Sequence, residues 1–318
     1  MAAKTPSSPE PATRTSVSFC GLRLRNPVIA ASGTFGCGVE FEKIVDLDQL
    51  GGFVVKGLSR EPMAGNPAPR LYETASGMLN SVGLQNIGVR AFVQQKLPAM
   101  AGVKTAVFAN VFGFQVEDYV EVVRVLEDAP TLAGYELNVS CPNTKHGGMQ
   151  FAADPQLLAE VVSAVRRVVR HRPLIVKLSP NVGDIAAIAR AGEEAGADAL
   201  SLINTFVAMA IDARRRRPHL GHGWGGLSGP AIKPIALRMV YQVAQAVRIP
   251  VIGLGGISTG EDVAEFLLAG ATAVQVGTAT FWDPQAPLRI AGEFDRFLER
   301  ERIPSARDLI GGLKMEGE

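Results

Sequence analysis

Seven polar side chains follow short apolar runs along this chain, and their types suit the binding of a polar, anionic small molecule. They are Ser32, Lys56, Asn110, Asn138, Lys177, Asn204 and Thr205. A single lysine or asparagine at a strand end is commonly a structural group with a satisfied hydrogen bond. Seven such side chains at successive strand ends would instead converge on one mouth, where two cations and several amide and hydroxyl groups face a flat ligand.

A glycine-rich set follows the last two apolar runs. Gly253, Gly255 and Gly256 end one run, and Gly277 and Thr278 end the next. The ends of strands seven and eight are where an eight-stranded α/β barrel commonly binds phosphate, through backbone N–H groups and the N-terminus of a nearby helix. No GxGxxG fingerprint follows the first run. A mononucleotide is therefore favoured over a dinucleotide.

The chain has three cysteines, and only one of them lies where chemistry is expected. A free cysteine is commonly a small buried hydrophobe, which is our interpretation of Cys20 and Cys37. Cys141 lies in NVSCPNTKHGGMQF, directly after the fourth apolar run. On a glycine-hinged loop at the rim it could exchange a proton with a substrate. Nucleophilic catalysis is less favoured, because no cysteine–histidine pair of fixed spacing accompanies it.

Eight short apolar runs, separated by amphipathic segments, must position these side chains. Continuous apolar runs are typical of strands buried on both faces, so we predict an α/β fold with a single (β/α)8 TIM barrel. Asp154 followed by Pro155 predicts the start of one intervening helix. The runs begin at Pro27, Gly52, Thr105, Tyr135, Leu174, Ala197, Pro250 and Ala273.

Two connections are too long for simple loops of such a barrel. They run from Gly57 to Lys104 after strand two and from Phe206 to about Pro230 after strand six. Loops longer than about 12 to 15 residues are usually functional or disordered. Both connections follow the C-terminal end of a strand, which is the rim where active sites of this architecture are built.

The second connection also carries the basic run Arg214–Arg217, with His219 and His222 close by. Such a run is commonly a solvated loop. The alternative is a docking surface for a partner subunit or a second barrel. Neither histidine has a carboxylate or a third histidine at the spacing of metal ligands, so we predict no metal site.

Composition limits the remaining possibilities. The chain has 318 residues, 47% of them apolar and 20% charged, with a formal net charge of +1. These values exclude a wholly disordered chain and give no overall field that would attract nucleic acid or a membrane. The scattered cysteines favour a reducing cytoplasm. We expect residues 1–16 to form a disordered tail and residues 17–318 to form one catalytic domain.

Eight sequence strings then identify a family. NPVIAASGTFG, GNPAPRLYET, GMLNSVGLQN, NVSCPNTKHGG, VKLSPN, GGLSGPAIKP, GLGGI and VGTA occur in this order between about Val17 and about Asp283. Together they resemble the dihydroorotate dehydrogenases, and most closely the class 1B catalytic subunits. The resemblance implies an FMN-containing TIM barrel that oxidises (S)-dihydroorotate to orotate in pyrimidine (UMP) synthesis.

The resemblance also implies roles for individual residues. Cys141 would take the C5 proton, a hydride would pass from C6 to FMN N5, and Lys177 would stabilise the charge that develops on the reduced ring. The residues implied to hold FMN are Ser32, Lys56, Gly57, Asn110, Asn138, Lys177, Ile203, Gly229, Gly255, Gly256, Gly277 and Thr278. Those implied to hold dihydroorotate are Lys56, Asn80, Ser81, Val82, Gly83, Leu84, Asn138, Asn143, Asn204 and Thr205.

The subclass decides which partner accepts the electrons. Class 2 members use serine as the base, and class 1A members usually continue CPNVPG where this chain has CPNTKHGG. The resemblance to class 1B implies one FMN per chain, a homodimer of barrels, and a second subunit that carries FAD and an iron-sulfur cluster within a heterotetramer and reduces NAD. Three scattered cysteines cannot hold that cluster on this chain.

Three alternatives stay open at this point. A class 1A-type enzyme would pass electrons to fumarate. A dihydropyrimidine dehydrogenase-type subunit shares the NxSCP motif, but its substrates lack the carboxylate that Lys56 and NSVGLQN would bind. A non-enzymatic flavin- or phosphate-binding barrel would not need Cys141.

Overall fold

Eight parallel strands close into a barrel in the computed structural model, which describes residues 13–140 and 151–315 of the chain. In chain order the described strands are β1 (Val17–Phe19), β2 (Leu22–Leu24), β3 (Val28–Ala30), β4 (Gly52–Val54), β5 (Leu71–Thr74), β6 (Gly77–Asn80), β7 (Ala106–Val111), β8 (Gly134–Asn138), β9 (Leu174–Lys177), β10 (Ala199–Leu202), β11 (Phe206–Ala208), β12 (Ile211–Asp212), β13 (Arg217–Pro218), β14 (Gly225–Ser228), β15 (Val251–Leu254) and β16 (Ala273–Val276).

Helices follow most of the barrel strands and pack around them. They are α1 (Val89–Gln95), α2 (Val116–Leu126), α3 (Pro155–Arg166), α4 (Ile185–Glu194), α5 (Lys233–Ala246), α6 (Gly260–Leu268), α7 (Ala279–Trp282) and α8 (Ala286–Arg300). Asp154 caps α3 as predicted, because its side chain accepts hydrogen bonds from the N–H groups of Gln156 and Leu157. The buried face of α3 is made of leucine, valine and alanine side chains.

The order of strands around the barrel is β3, β4, β7, β8, β9, β10, β15 and β16, with β16 pairing back to β3. Each of the eight predicted apolar runs supplies one of these strands, so the predicted TIM barrel is confirmed. Strands β4, β9, β10, β15 and β16 are buried at every residue. This burial on both faces explains why their sequences are apolar without alternation.

The two long insertions do not form separate loops, since they join in one sheet over the rim. Its strand order is β11-β14-β6-β5. Strands β6 and β14 pair antiparallel, with Asn80 opposite Gly226 and Met78 opposite Ser228. The Arg214–Arg217 run is exposed and lies at the turn and second strand of the β12–β13 hairpin. The sequence predicted both insertions but not their pairing.

Residues 13–16, the first residues that the structure describes, are packed against the barrel. The Nε of Arg14 lies 2.6 Å from a carboxylate oxygen of Asp295 on α8, and the Ala306 N–H donates to the Arg14 carbonyl at 2.7 Å. Thr15 and Ser16 are buried. Residues 13–16 were expected to belong to the tail but contact the catalytic domain. Residues 1–12 lie outside the described residues.

Helix α6 begins with a buried ionic cap that follows strand β15. One Asp262 carboxylate oxygen accepts the N–H groups of Ser258 and Thr259 at 2.7 and 2.9 Å. The other lies 2.5 Å from the Lys233 ammonium. Burial opposes ionisation, but the Lys233 ammonium and the two N–H donors prevail and lower the pKa of Asp262.

We expect Asp262→Asn to lower the free energy of unfolding at pH 7 by about 1 to 2 kcal/mol, since the cap loses its charge and the Lys233 ammonium loses a partner. A carboxyl group whose pKa is lowered by folding contributes stability above its unfolded pKa, and this is lost as the pH falls through its folded pKa. The difference in free energy of unfolding between the variant and the wild type should therefore become smaller only below about pH 3.8, the ordinary pKa of the group. Urea unfolding at several pH values measures it.

The matched control is Asp128→Asn, because the Asp128 side chain is 83% exposed. Its effect should stay within about 0.5 kcal/mol. Equal effects of the two substitutions would contradict the assignment of Asp262 as a stabilising cap.

Candidate active site

A cavity of about 340 Å³ opens at the C-terminal ends of the barrel strands, beneath the insertion sheet. Every predicted site residue within the described part of the chain lines it. These residues are Ser32, Lys56, Gly57, Asn80, Ser81, Val82, Gly83, Leu84, Asn110, Asn138, Lys177, Ile203, Asn204, Thr205, Gly229, Gly255, Gly256, Gly277 and Thr278. The predicted base Cys141 and the predicted substrate ligand Asn143 lie outside the described residues.

The charge of this cavity suits an anion. Among the described residues its lining includes Lys56 and Lys177 and no aspartate or glutamate. Burial lowers the pKa of Lys56; the neighbouring Cys37 opposes this and the Arg70 guanidinium adds to it. A half-buried ammonium short of counter-charge is a favourable partner for a carboxylate that leaves water.

A buried carboxylate lies inside the barrel, in contact with Asn110, Lys177 and Gln275 of the cavity lining. Glu136 on β8 is fully buried. It accepts hydrogen bonds from Asn110 Nδ2 at 2.7 Å, Ser201 Oγ at 2.9 Å and Gln275 Nε2 at 2.6 Å. The Lys177 Nζ lies 3.5 Å from the same carboxylate. Four donors around one carboxyl group are what the ionised form requires.

Two asparagines at the ends of β8 and β10 meet at one side of the cavity. Asn204 Nδ2 donates to Asn138 Oδ1 at 3.3 Å, and Asn204 Oδ1 accepts the N–H of Thr205 at 2.8 Å. Asn138 Oδ1 also accepts the Ser140 N–H at 3.3 Å. Among the described residues this leaves the Asn138 amide N–H2 as a free donor at the cavity.

The segment Asn80–Leu84 also lines the cavity and is held in place by Asn66 of the same insertion. Asn66 Nδ2 donates to Ser81 Oγ at 2.8 Å, and the Asn66 N–H donates to the Val82 carbonyl at 3.1 Å. Gly83 has a φ of 73°, and a Cβ there would lie 2.5 Å from the Asn66 nitrogen. Only glycine fits this turn.

The glycine-rich end of the cavity has the form expected for a phosphate site. Gly255 and Gly256 have φ values of 127° and 74°. A Cβ on Gly256 would lie 2.8 Å from both the Gly229 carbonyl and the Lys233 Cβ. Turns of this kind bring backbone N–H groups close to an anion. Thr259 and Asp262 already cap α6, so the loops rather than the helix terminus must supply the donors.

The residues present therefore fit a flavin mononucleotide. The glycine-rich end suits a phosphate, and the lining combines the Lys177 ammonium with apolar residues such as Ile203 and Leu254. The buried Gln275 Oε1 has no hydrogen-bond partner among the described residues. It can accept an N–H from a ring that enters the cavity.

Cys37 is buried, in agreement with its interpretation as a small buried residue, whereas Cys20 is only part-buried and its thiol donates to the Asp198 carbonyl. Burial and Glu40 raise the pKa of Cys37 to about 11. Burial and Asp198 raise the pKa of Cys20 to about 12. Both thiols therefore stay protonated at neutral pH and are poor bases or nucleophiles.

Sequence reasoning missed several residues that the structure brings to this site. Glu136 and Gln275 lie within the apolar runs YELNVS and AVQVGTA, and a charged or amide side chain in the middle of a buried strand was the available signal. Asn66 and Asn181 line the cavity and lie within the recognised strings GNPAPRLYET and VKLSPN, but neither was assigned a role.

Neither a metal-binding cluster nor a membrane-spanning helix is found in residues 13–140 and 151–315. No group of three histidine, cysteine, aspartate or glutamate side chains there is placed to hold a metal ion. Among the same residues, no helix has both the length and the apolar character needed to cross a membrane.

Similar proteins point to one family. The family model "Dihydroorotate dehydrogenase" matches residues 14–298. A protein of Solibacter usitatus named "Putative dihydroorotate dehydrogenase A (fumarate)" is 73% identical over 93% of this chain and 97% of its own. A protein of Geotalea uraniireducens named "Dihydroorotate dehydrogenase B (NAD(+)), catalytic subunit" is 56% identical over 94% of this chain and 97% of its own.

A solved structure supports the fold. The crystal structure of DHODH from Eimeria tenella in complex with ferulenol superposes with a TM-score of 0.77 at 22% identity, covering 97% of this chain and 91% of that one. At this identity the likeness bears on the barrel alone. The family model and the relatives carry the assignment: the chain belongs to the dihydroorotate dehydrogenase family.

Proposed function

We propose that this chain is the FMN-containing catalytic subunit of a class 1B dihydroorotate dehydrogenase. It oxidises (S)-dihydroorotate to orotate, a step of pyrimidine synthesis. The observation that carries the proposal is a cavity at the barrel rim that holds two lysines and several amide groups but, among the described residues, no carboxylate. This is the chemistry needed by a substrate with one carboxylate and a ring of amide edges.

Lys56 binds the substrate carboxylate. The ring is bound by side-chain and backbone donors and acceptors of Asn138, Asn204, Thr205 and the Asn80–Leu84 segment. The insertion sheet above the cavity limits the access of water. FMN supplies the hydride acceptor when it is bound.

Two residues handle charge during the reaction. Cys141 accepts the C5 proton, a role that rests on the NVSCPNTKHGG motif because this residue lies outside the described part. Lys177 at the cavity floor would stabilise the negative charge that develops on the flavin ring as the substrate is oxidised. Cys141 therefore accepts the proton, whereas Lys177 stabilises the developing negative charge.

The electron acceptor separates the two subclasses. The Solibacter usitatus relative is named for fumarate, whereas the Geotalea uraniireducens relative is named for NAD. The CPNTKHGG string favours class 1B. In that class electrons leave through a second subunit with FAD and an iron-sulfur cluster, and two barrels pair within a heterotetramer. We place the enzyme in the cytoplasm.

We expect the purified chain to release about one equivalent of FMN on denaturation and to lose its flavin absorbance when dihydroorotate is added without oxygen. Alone it should reduce neither NAD nor fumarate rapidly, and NAD reduction should appear when the partner subunit is added. Release of FAD, or of no flavin, would contradict the proposal that the chain binds FMN. Rapid fumarate reduction by the chain alone would move it to class 1A, and bleaching by dihydrouracil would favour the dihydropyrimidine dehydrogenase type.

Lys56→Met should raise the KM for dihydroorotate about 100-fold, because a charge-assisted hydrogen bond is worth about 1.5 to 3 kcal/mol. In the wild type, KM should rise as the pH rises through the lowered pKa of Lys56, below the ordinary 10.5, since the neutral amine no longer attracts the carboxylate. The methionine variant should lack this alkaline limb. Lys56→Arg is the charge-conserving control. A wild-type KM in Lys56→Met would remove Lys56 from substrate binding.

Cys141→Ala should keep FMN and slow flavin reduction by dihydroorotate about 100-fold or more, the usual scale of general-base catalysis. An ordinary thiol has a pKa of about 8.5, so the wild-type rate should increase as the pH rises and forms thiolate. Cys141→Ser should retain part of the rate only at higher pH. Stopped-flow absorbance measures these rates. Cys20→Ala is the matched control, because it removes a thiol that does not line the cavity. A wild-type pH profile in Cys141→Ala would refute the role.

A further inference from the structure

We propose that Glu136 is a positioning residue of the cavity floor: its buried carboxylate fixes the Lys177 ammonium and offsets its positive charge, and so sets how readily the bound flavin is reduced. The inference rests on the proposed FMN site. It concerns a residue that does not itself line the cavity.

The carboxylate of Glu136 is held from three directions inside the barrel. Its neutral donors come from β7 through Asn110, from β10 through Ser201 and from β16 through Gln275. These strands lie on different sides of the barrel. The carboxylate therefore has a fixed position that does not depend on Lys177.

Lys177 lies between this carboxylate and the cavity. Strand β9 places it beside β8, with Lys177 paired in register with Asn138. Its side chain is 7% exposed, and its Nζ is 3.5 Å from Glu136 Oε1. The Asn110 amide approaches the same oxygen at 2.7 Å. The neutral donors thus make the short hydrogen bonds, and Lys177 forms a longer ion pair with the carboxylate.

The pairing has an electrostatic consequence for a ring bound above it. A cation near a flavin favours the reduced, more negative ring, and an anion behind that cation weakens its field. Among the described residues no other carboxylate lies near the cavity floor with an ion pair to Lys177. Glu136 is therefore the group that determines how much of the Lys177 charge reaches the ring.

The test is Glu136→Gln, which removes the charge and keeps the shape. The Ser201 hydroxyl, which can donate or accept, can accept a hydrogen bond from the introduced amide. With Lys177 no longer offset, the midpoint potential of the bound FMN should shift upward. The dissociation constant for sulfite, whose adduct places negative charge on the flavin, should fall about tenfold. The KM for dihydroorotate should change little, since Lys56 is untouched.

Ser201→Ala is the matched control. It deletes one neutral hydrogen bond to the same carboxylate and leaves the charge in place. Its sulfite dissociation constant should stay within about twofold of the wild type. If Ser201→Ala shifts the potential as much as Glu136→Gln does, the effect is one of packing, and the electrostatic role is wrong.

Lys177→Gln covers the case in which Glu136→Gln does not fold, because it leaves Glu136 unchanged. It removes the cation and leaves the carboxylate charge without its ion pair near the ring. The midpoint potential of the bound FMN should therefore fall below that of the wild type, and an unchanged or higher potential would overturn the proposal. A wild-type protein without FMN would instead contradict the proposed function, so the two failures are distinguishable.

Discussion

A negative charge buried at the centre of the barrel constrains the rest of the site. Glu136 has no contact with water and is satisfied by Asn110, Lys177, Ser201 and Gln275. An uncompensated carboxylate in this position would cost several kcal/mol, and these four partners supply the compensation. They come from four other strands, which ties the strand register at the rim to the position of the lysine at the cavity floor.

The rim combines this rigid floor with walls made from distant parts of the chain. The floor groups lie on strands that are fixed by neighbours on both sides. The walls depend on the insertion sheet and on tight turns such as the one at Gly83. In many enzymes a precise barrel supports loops that determine which substrate is accepted. Here Lys177 belongs to the floor, and the Asn80–Leu84 segment belongs to the walls.

Local patterns were sufficient to predict much of this structure. The eight strands follow from continuous apolar runs, and the cap at Asp154 follows from its residue type and the proline after it. The rim residues followed from polar side chains at strand ends. Glu136 was not predicted, because its partners lie 26 to 139 residues away in sequence. Cys141 stays a prediction, since it lies outside the described residues.

The pairing of β6 with β14 also bears on how the molecule assembles. The hydrogen bond from Asn80 Nδ2 to the Gly226 carbonyl joins residues 146 positions apart. The β16–β3 pairing that closes the barrel joins residues that are further apart still, with Val274 opposite Val28. Both closures carry a loop-closure cost that is recovered only when the intervening strands have come together. The cavity between barrel and insertion sheet therefore takes shape only when both long-range pairings are complete.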